Sequence, residues 1–240
     1  LLFARYAFPP NQLGYCGSPD HQSLLGYLSE GAVDQGLAEL AQQFEGAYPW
    51  LRLIAETNGI GDPFDPRVVE AYWVGNGLLA RVGASPLYES LRERFRPRMT
   101  GQDFSSLTAH LGDGVHPHHN YHVFEIYRRA GLLRDSRATI ALDRMDQCRI
   151  SWGTVVAVEG AEAVVQRAPL ALAGGKITLG VPTAVRVQRH LPAAGALDDL
   201  QPGRVVSIHW SWACDILPPA SQRALAGETR RVIEHTNKTL

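Results

Sequence analysis

Cys148-Arg149-Ile150-Ser151-Trp152-Gly153-Thr154-Val155-Val156, answered later in the chain by Gly203-Arg204-Val205-Val206-Ser207-Ile208-His209, decides how this sequence folds. Both stretches run into β-branched residues, which suit a pleated, half-buried surface. Around them the spacing predicts strands at Thr154 to Val158, Ala163 to Val165, Lys176 to Leu179, Ala184 to Gln188 and Arg204 to Ile208. Gly160, Gly174-Gly175, Gly195 and Pro202-Gly203 punctuate them as turns. Short strands at such close spacing predict a small barrel. In a barrel, Cys148 lies just before the first strand and His209 on a late strand that returns beside it, so a thiol and an imidazole approach each other.

Working outward, the pattern changes near residue 140. Before it, apolar residues recur at three- and four-residue intervals over Gln22 to Leu28, Ala32 to Glu45, Pro49 to Thr57, Pro66 to Arg81 and Leu87 to Phe95, which predicts helices. Asn58-Gly59 reads as a helix stop, while Asp65-Pro66 and Ser85-Pro86 read as starts, with a capping side chain ahead of a proline at the first helical position. A last helix is expected from Ser221 to His235. The expected architecture is therefore α+β: an all-α domain over residues 1–140, then a small β-barrel with a C-terminal helix over residues 145–240.

Composition narrows the function classes. With 240 residues, 45% hydrophobic and 20% charged, the chain can bury an ordinary core. A net charge of −1 with interspersed signs gives no electrostatic footprint for nucleic acid or an anionic membrane. No apolar run approaches the roughly 20 residues that span a bilayer, and the first residues lack a signal peptide's apolar centre. Three widely spaced cysteines, Cys16, Cys148 and Cys214, argue against a disulfide framework and fit a reducing cytoplasm.

The cysteine, the glycine five positions on, the strands, the Gly203 to His209 to Ala213 spacing and the terminal helix together resemble the HypC/HupF family of [NiFe]-hydrogenase assembly chaperones. The resemblance covers roughly residues 145 to 236. It implies an OB-like HypC barrel in which Cys148 and His209 hold an iron or Fe(CN)2CO-type fragment. It also implies a HypD-like maturation protein and the hydrogenase large-subunit precursor as partners. A thiolate is a soft donor suited to low-valent iron, and a neutral imidazole is a good neighbouring ligand or proton acceptor. The chain departs from the family where Cys148 is internal and so lacks a free amine, where Trp152 replaces a proline, and where Trp210 and Trp212 crowd the histidine strand. Cys214 follows His209 by five residues and is expected to pack in the core on the opposite face.

Two further constellations carry metal-ligand chemistry. Val115-His116-Pro117-His118-His119-Asn120-Tyr121-His122 places four imidazoles within seven residues. On a helix starting after Pro117, His118 and His122 share a face at i and i+4, and His119 and His122 are neighbours at i and i+3. Either pair suits zinc or iron, with Asp113, Glu125 or His110 completing the set; capping and packing are the ordinary alternative. Phe8-Pro9-Pro10 through Cys16 to Asp20-His21 reads as a fixed loop instead of a helix, presenting Cys16 and His21. Glu70, Tyr72, Trp73 and Asn76 either line a cavity or form ordinary core.

Phosphate-binding glycine loops, Gly-x-Ser-x-Gly and His-Glu-x-x-His are absent from the sequence. The expectation is thus a cytoplasmic metal carrier or maturation chaperone. The alternative is a metal-dependent enzyme built on the His116–His122 cluster.

Overall fold

A computed structural model describes residues 1–127, 138–189 and 197–240. The expected caps act on its helices. Asp20, Asp34, Asp65 and Thr100 each accept a backbone N–H of the first turn, and so start α2 (His21–Glu30), α3 (Gln35–Gln42), α5 (Pro66–Trp73) and α7 (Gly101–Thr108). Between them, α4 (Tyr48–Thr57) ends at Asn58, with Gly59 at φ 67°. The helix expected to continue to Arg81 stops at Trp73. Gly75, at φ 99°, turns the chain, and only a short 3-10 turn, Leu79–Arg81, follows. α6 (Ala84–Phe95) begins at Gly83 and not at Ser85.

The segment before these helices corrects the sequence reading. α1 (Leu2–Gln12) runs through Pro9 and Pro10, so the loop starts only at Leu13. A proline deep in a helix removes one N–H and frees the carbonyl four residues earlier. α1 tolerates this because it is buried nearly throughout and packs on both α2 and the sheet.

The histidine segment is also not the regular helix expected. α8 (His119–Tyr121) is a single turn that widens into a π-helical stretch, His122–Tyr127. His118 stands outside it as an extended N-cap, with Nδ1 accepting from the Asn120 amide at 3.0 Å. The i, i+4 face that would unite His118 with His122 therefore does not form. α9 (Ala138–Cys148) follows and ends on Cys148.

The remaining chain is β-rich: β1 (Ser151–Glu159), β2 (Glu162–Arg167), β3 (Leu170–Ala173), β4 (Lys176–Leu179), β5 (Thr183–Gln188), β6 (Val205–His209) and β7 (Trp212–Ile216), then α10 (Pro219–Thr236). Five strands form one sheet in the order β1-β2-β5-β7-β6. β1 is also antiparallel to β6, from Ser151 opposite Ile208 to Thr154 opposite Val205. β5 meets β7 through the parallel pair Gln188 and Trp212. Gly153 is required in β1, since a Cβ there would stand 2.6 Å from the Gln166 carbonyl oxygen. β3 and β4 form a separate hairpin against α9 and α10, where Asn237 bonds both backbone groups of Ile177 at 2.8 and 2.9 Å. The architecture is mixed α and β, with N-terminal helices, a five-stranded sheet and a C-terminal helix.

Alternation along β6 sets up the site. Val206 and Ile208 join a small apolar cluster with Val155, Val165 and Val187 inside the sheet. Ser207 and His209 consequently face the helices. There α1 lies across β6 and β7: Tyr6 Oη and Ser207 Oγ are 2.7 Å apart, Arg5 pairs with Asp215 at 3.2 Å, and Phe8 meets Trp212 edge to face. Among the described residues no helix is long and apolar enough to cross a membrane.

Candidate metal centre

Three buried side chains converge where α8, α9 and β6 end or begin. The ligand atoms of His119, Cys148 and His209 all lie within 4.8 Å of one another. Donors on one tetrahedral ion stand roughly 3.3–3.8 Å apart, given metal–nitrogen and metal–sulfur bonds of about 2.0–2.3 Å. The group therefore needs only a small closure to grip one ion.

Each donor is placed by backbone groups that a helix end or a proline leaves unpaired. The last carbonyls of α9 have no helical donor. His119 Nε2 stands 2.9 Å from the Cys148 carbonyl oxygen, and the Trp210 amide donates to the Gln147 carbonyl at 2.7 Å. The end of α9 is thereby fastened to the turn that follows His209. Pro10, four residues after Tyr6, has no N–H for the Tyr6 carbonyl, and His209 Nδ1–H donates to that carbonyl at 2.6 Å. This fixes the His209 tautomer and puts the lone pair on Nε2. Nε2 is fully buried and makes no hydrogen bond among the described residues.

His119 has one tautomer that satisfies both ring nitrogens and one that frees a donor. With the proton on Nε2, it donates to the Cys148 carbonyl while Nδ1 accepts from the Tyr72 hydroxyl at 3.1 Å. With the proton on Nδ1, it donates to Tyr72 Oη, whose hydroxyl can pass its own proton to the Gly46 carbonyl at 3.4 Å. The second tautomer sets the Nε2 lone pair 2.9 Å from the Cys148 carbonyl oxygen, so it is favoured only once a cation takes that lone pair. A ligating histidine usually donates its other ring N–H in this way, to an outer partner that orients it.

Burial sets the charges. It lowers the His209 pKa to about 4, against the opposing pull of the Tyr6 and Cys148 carbonyls. Burial, and then the neighbouring His209, hold His119 well below the usual imidazole range. Both rings are therefore neutral donors at physiological pH. The Cys148 thiol is pushed up by burial and next by Cys16, so it keeps its proton until a cation offsets that burial. Trp73 walls one side, its ring 4.6 Å from His119 and 5.6 Å from His209, and Tyr6 stacks on it. The cavity that Trp73 and the three donors line is small, about 30 Å³.

The other expected ligands are distributed elsewhere. Cys16 and His122 line the same cavity but stand outside the three-donor group. His122 Nδ1 accepts from Trp50 Nε1 at 3.2 Å, and burial, then Arg94, lowers its pKa to about 3. His118 caps α8, lowered to about 4 by burial. His116 pairs with Glu228 at 3.0 Å. Asp113 engages Lys238 at 2.7 Å and His110 at 3.4 Å, and Glu125 accepts from Thr236 at 2.5 Å. Cys214 is fully buried in the core, as expected, but in the helix-side cluster and not on the face opposite His209, because the β6–β7 register shifts between Ser207 and Ile208. Tyr6, Pro10 and Tyr72, which orient the donors, are the residues that sequence reasoning did not assign to the site. Tyr72 had a signal, since it was named with Trp73 as a possible cavity residue.

No curated protein and no solved structure matches the chain. A family model described as a family of unknown function, DUF6390, matches residues 1–240. A match over that whole length shows that the chain belongs to the DUF6390 family.

Proposed function

We propose that this protein is an accessory carrier in metallocentre assembly that holds iron, bare or as an Fe(CN)2CO-type fragment, on His119, Cys148 and His209. The observation that carries the reading is the convergence of one thiol and two neutral imidazoles from three separate elements on one small cavity. Soft sulfur with borderline nitrogen suits low-valent iron, and equally admits zinc. Three protein donors leave positions open for small exogenous ligands and for handover. The resemblance of residues 145 to 236 to HypC/HupF chaperones extends this reading. The five-stranded sheet is then a closed HypC-like barrel, the process is [NiFe]-hydrogenase maturation in the cytoplasm, and the partners are a HypD-like protein and the large-subunit precursor. The three free cysteines fit a reducing compartment. The enzyme alternative on the His116–His122 cluster is less well supported, because those four imidazoles occupy separate environments and only His119 joins the three-donor group.

The test is anaerobic co-purification with the maturation proteins, followed by metal analysis and infrared spectroscopy of iron-bound carbonyl and cyanide. Iron and its bands should be present in the wild type, absent in Cys148→Ala and His209→Ala, and retained in His118→Ala. Metal that survives Cys148→Ala but is lost in His118→Ala would transfer the function to the histidine cluster.

A further inference from the structure

The segment between α1 and α2 is built to hold Cys16 at the mouth of this cavity. Asn11, itself buried, donates through Nδ2 to the carbonyls of Cys16 at 2.8 Å and Ser18 at 2.6 Å. Gly14 and Gly17 have φ of 74° and 82°, conformations that suit glycine, and a Cβ on Gly17 would run into the Phe44 ring. Tyr15 stacks on Trp210, with centroids 4.5 Å apart and planes at 9°, and Arg144 lies over the Tyr15 ring. Trp210 follows His209 directly and has φ 54°, the only positive value on a non-glycine residue among those described. A bulky side chain held there is strained and persists only where the surroundings determine it. The loop and the His209 turn are thus locked face to face, with Cys16 lining the cavity that Cys148 and His209 also line.

Cys16 alone would carry nothing. The independent observation is His209 Nε2, fully buried and without a hydrogen bond among the described residues, on a ring that lines the same cavity and lies within 4.8 Å of the other donors. Three donors leave a tetrahedral ion one ligand short. We infer that Cys16 is the fourth protein ligand of the bare ion, making a Cys16–His119–Cys148–His209 centre that opens when exogenous ligands arrive. Each thiol loses its proton to solvent as its metal–sulfur bond forms. His119, Cys148 and His209 stand on or at the ends of regular elements, whereas Cys16 stands on a loop and is only partly buried. It is therefore the donor that an incoming ligand or partner displaces at handover. This inference rests on the metal-holding reading and specifies its coordination.

Cobalt(II), added anaerobically to the purified chain, is the probe, because the near-ultraviolet thiolate-to-cobalt band scales with the number of sulfur ligands. The wild type should show a two-thiolate band that halves in Cys16→Ser, halves in Cys148→Ser, disappears in the double variant and is unchanged in Cys214→Ser. X-ray absorption at the metal edge of the wild type counts sulfurs without any substitution and should find two. One sulfur, with a band unaffected by Cys16→Ser, would overturn the Cys16 assignment and leave the three-donor carrier standing. A cobalt complex indifferent to Cys148→Ser, or no cobalt binding at all, would remove both.

Discussion

The Tyr6 carbonyl and the His209 imidazole are joined by a 2.6 Å hydrogen bond that exists because Pro10 cannot donate to that carbonyl. A defect in α1 is in this way converted into the orientation of a ligand on β6. The helix loses one backbone bond, and the sheet gains a fixed imidazole within 4.8 Å of the thiol.

Pro10→Ala restores an N–H to α1, which then competes with His209 for the Tyr6 carbonyl. Removing a proline from a helix interior favours the helix by up to about 3 kcal/mol, so the fold should survive. Metal affinity should nonetheless fall by roughly 10-fold to 100-fold, the usual effect of losing an orienting partner behind a ligand. Cobalt titration beside a thermal melt separates the two effects. An unchanged affinity would mean that the Tyr6 carbonyl does not orient His209 for binding.

Tyr72→Phe makes the same argument for His119. The substitution removes the hydroxyl 3.1 Å from Nδ1 and leaves that nitrogen buried without this partner. About 1–3 kcal/mol of stability should be lost, and affinity should drop by roughly tenfold. Adding Tyr72→Phe to a His119→Ala background should change affinity little. A further tenfold loss there would show that Tyr72 acts by another route.

What the sequence disclosed, and what it hid, follows from how far each interaction reaches. Asp65-Pro66 and Asn58-Gly59 are local signals and mark α5 and the end of α4. Cys148 and His209 were legible because β1 and β6 are neighbours whose strands are rich in β-branched residues. β7, with Trp212, Cys214 and Asp215, and β3, reading Leu-Ala-Leu-Ala, lack that bias and were missed. His119 could not be separated from His116, His118 and His122, because the segment passes from an extended cap through one α turn into a π turn, which no 3.6-residue period describes. α1 was hidden for the opposite reason. The rule that prolines end helices is sound for a solvated helix, and here tertiary burial overrides it.

Asn120 is the buried fastening that keeps His119 at the head of α8. Its Nδ2 donates to the Ile150 carbonyl at 3.1 Å and to Thr229 Oγ1 at 3.0 Å, and its Oδ1 accepts the Ile150 amide at 2.8 Å. One side chain thereby ties α8, the entry to β1 and α10. Asn120→Ala leaves buried backbone groups without partners, each costing about 1–3 kcal/mol. A loss of about 3 kcal/mol or more is expected in urea unfolding. A loss below about 1 kcal/mol in Asn120→Ala would show that water replaces these bonds at little cost.

Acid should unfold the protein well before its carboxylates titrate. His118 and His209 are lowered to about 4 and His122 to about 3, and His119 is held well below the usual imidazole range, all first by burial. An unfolded histidine titrates near 6.5. Between about pH 6.5 and 4 the unfolded chain therefore binds protons that the native chain refuses. Stability from these groups is fully present above about 6.5 and is lost as pH falls through that window. Each proton contributes about 1.4 kcal/mol per pH unit, so four groups together approach about 5 kcal/mol per unit where all are engaged, against a total stability of roughly 5–15 kcal/mol for a typical domain. Urea midpoints measured from about pH 7.5 downward should hold steady and then fall steeply, with cooperative unfolding near pH 5. His118→Gln combined with His122→Gln should flatten the slope by about two protons whatever it does to stability at neutral pH. A slope unchanged by that pair would show that these two rings are already charged in the native protein and would remove the case for a neutral, buried histidine layer around the site.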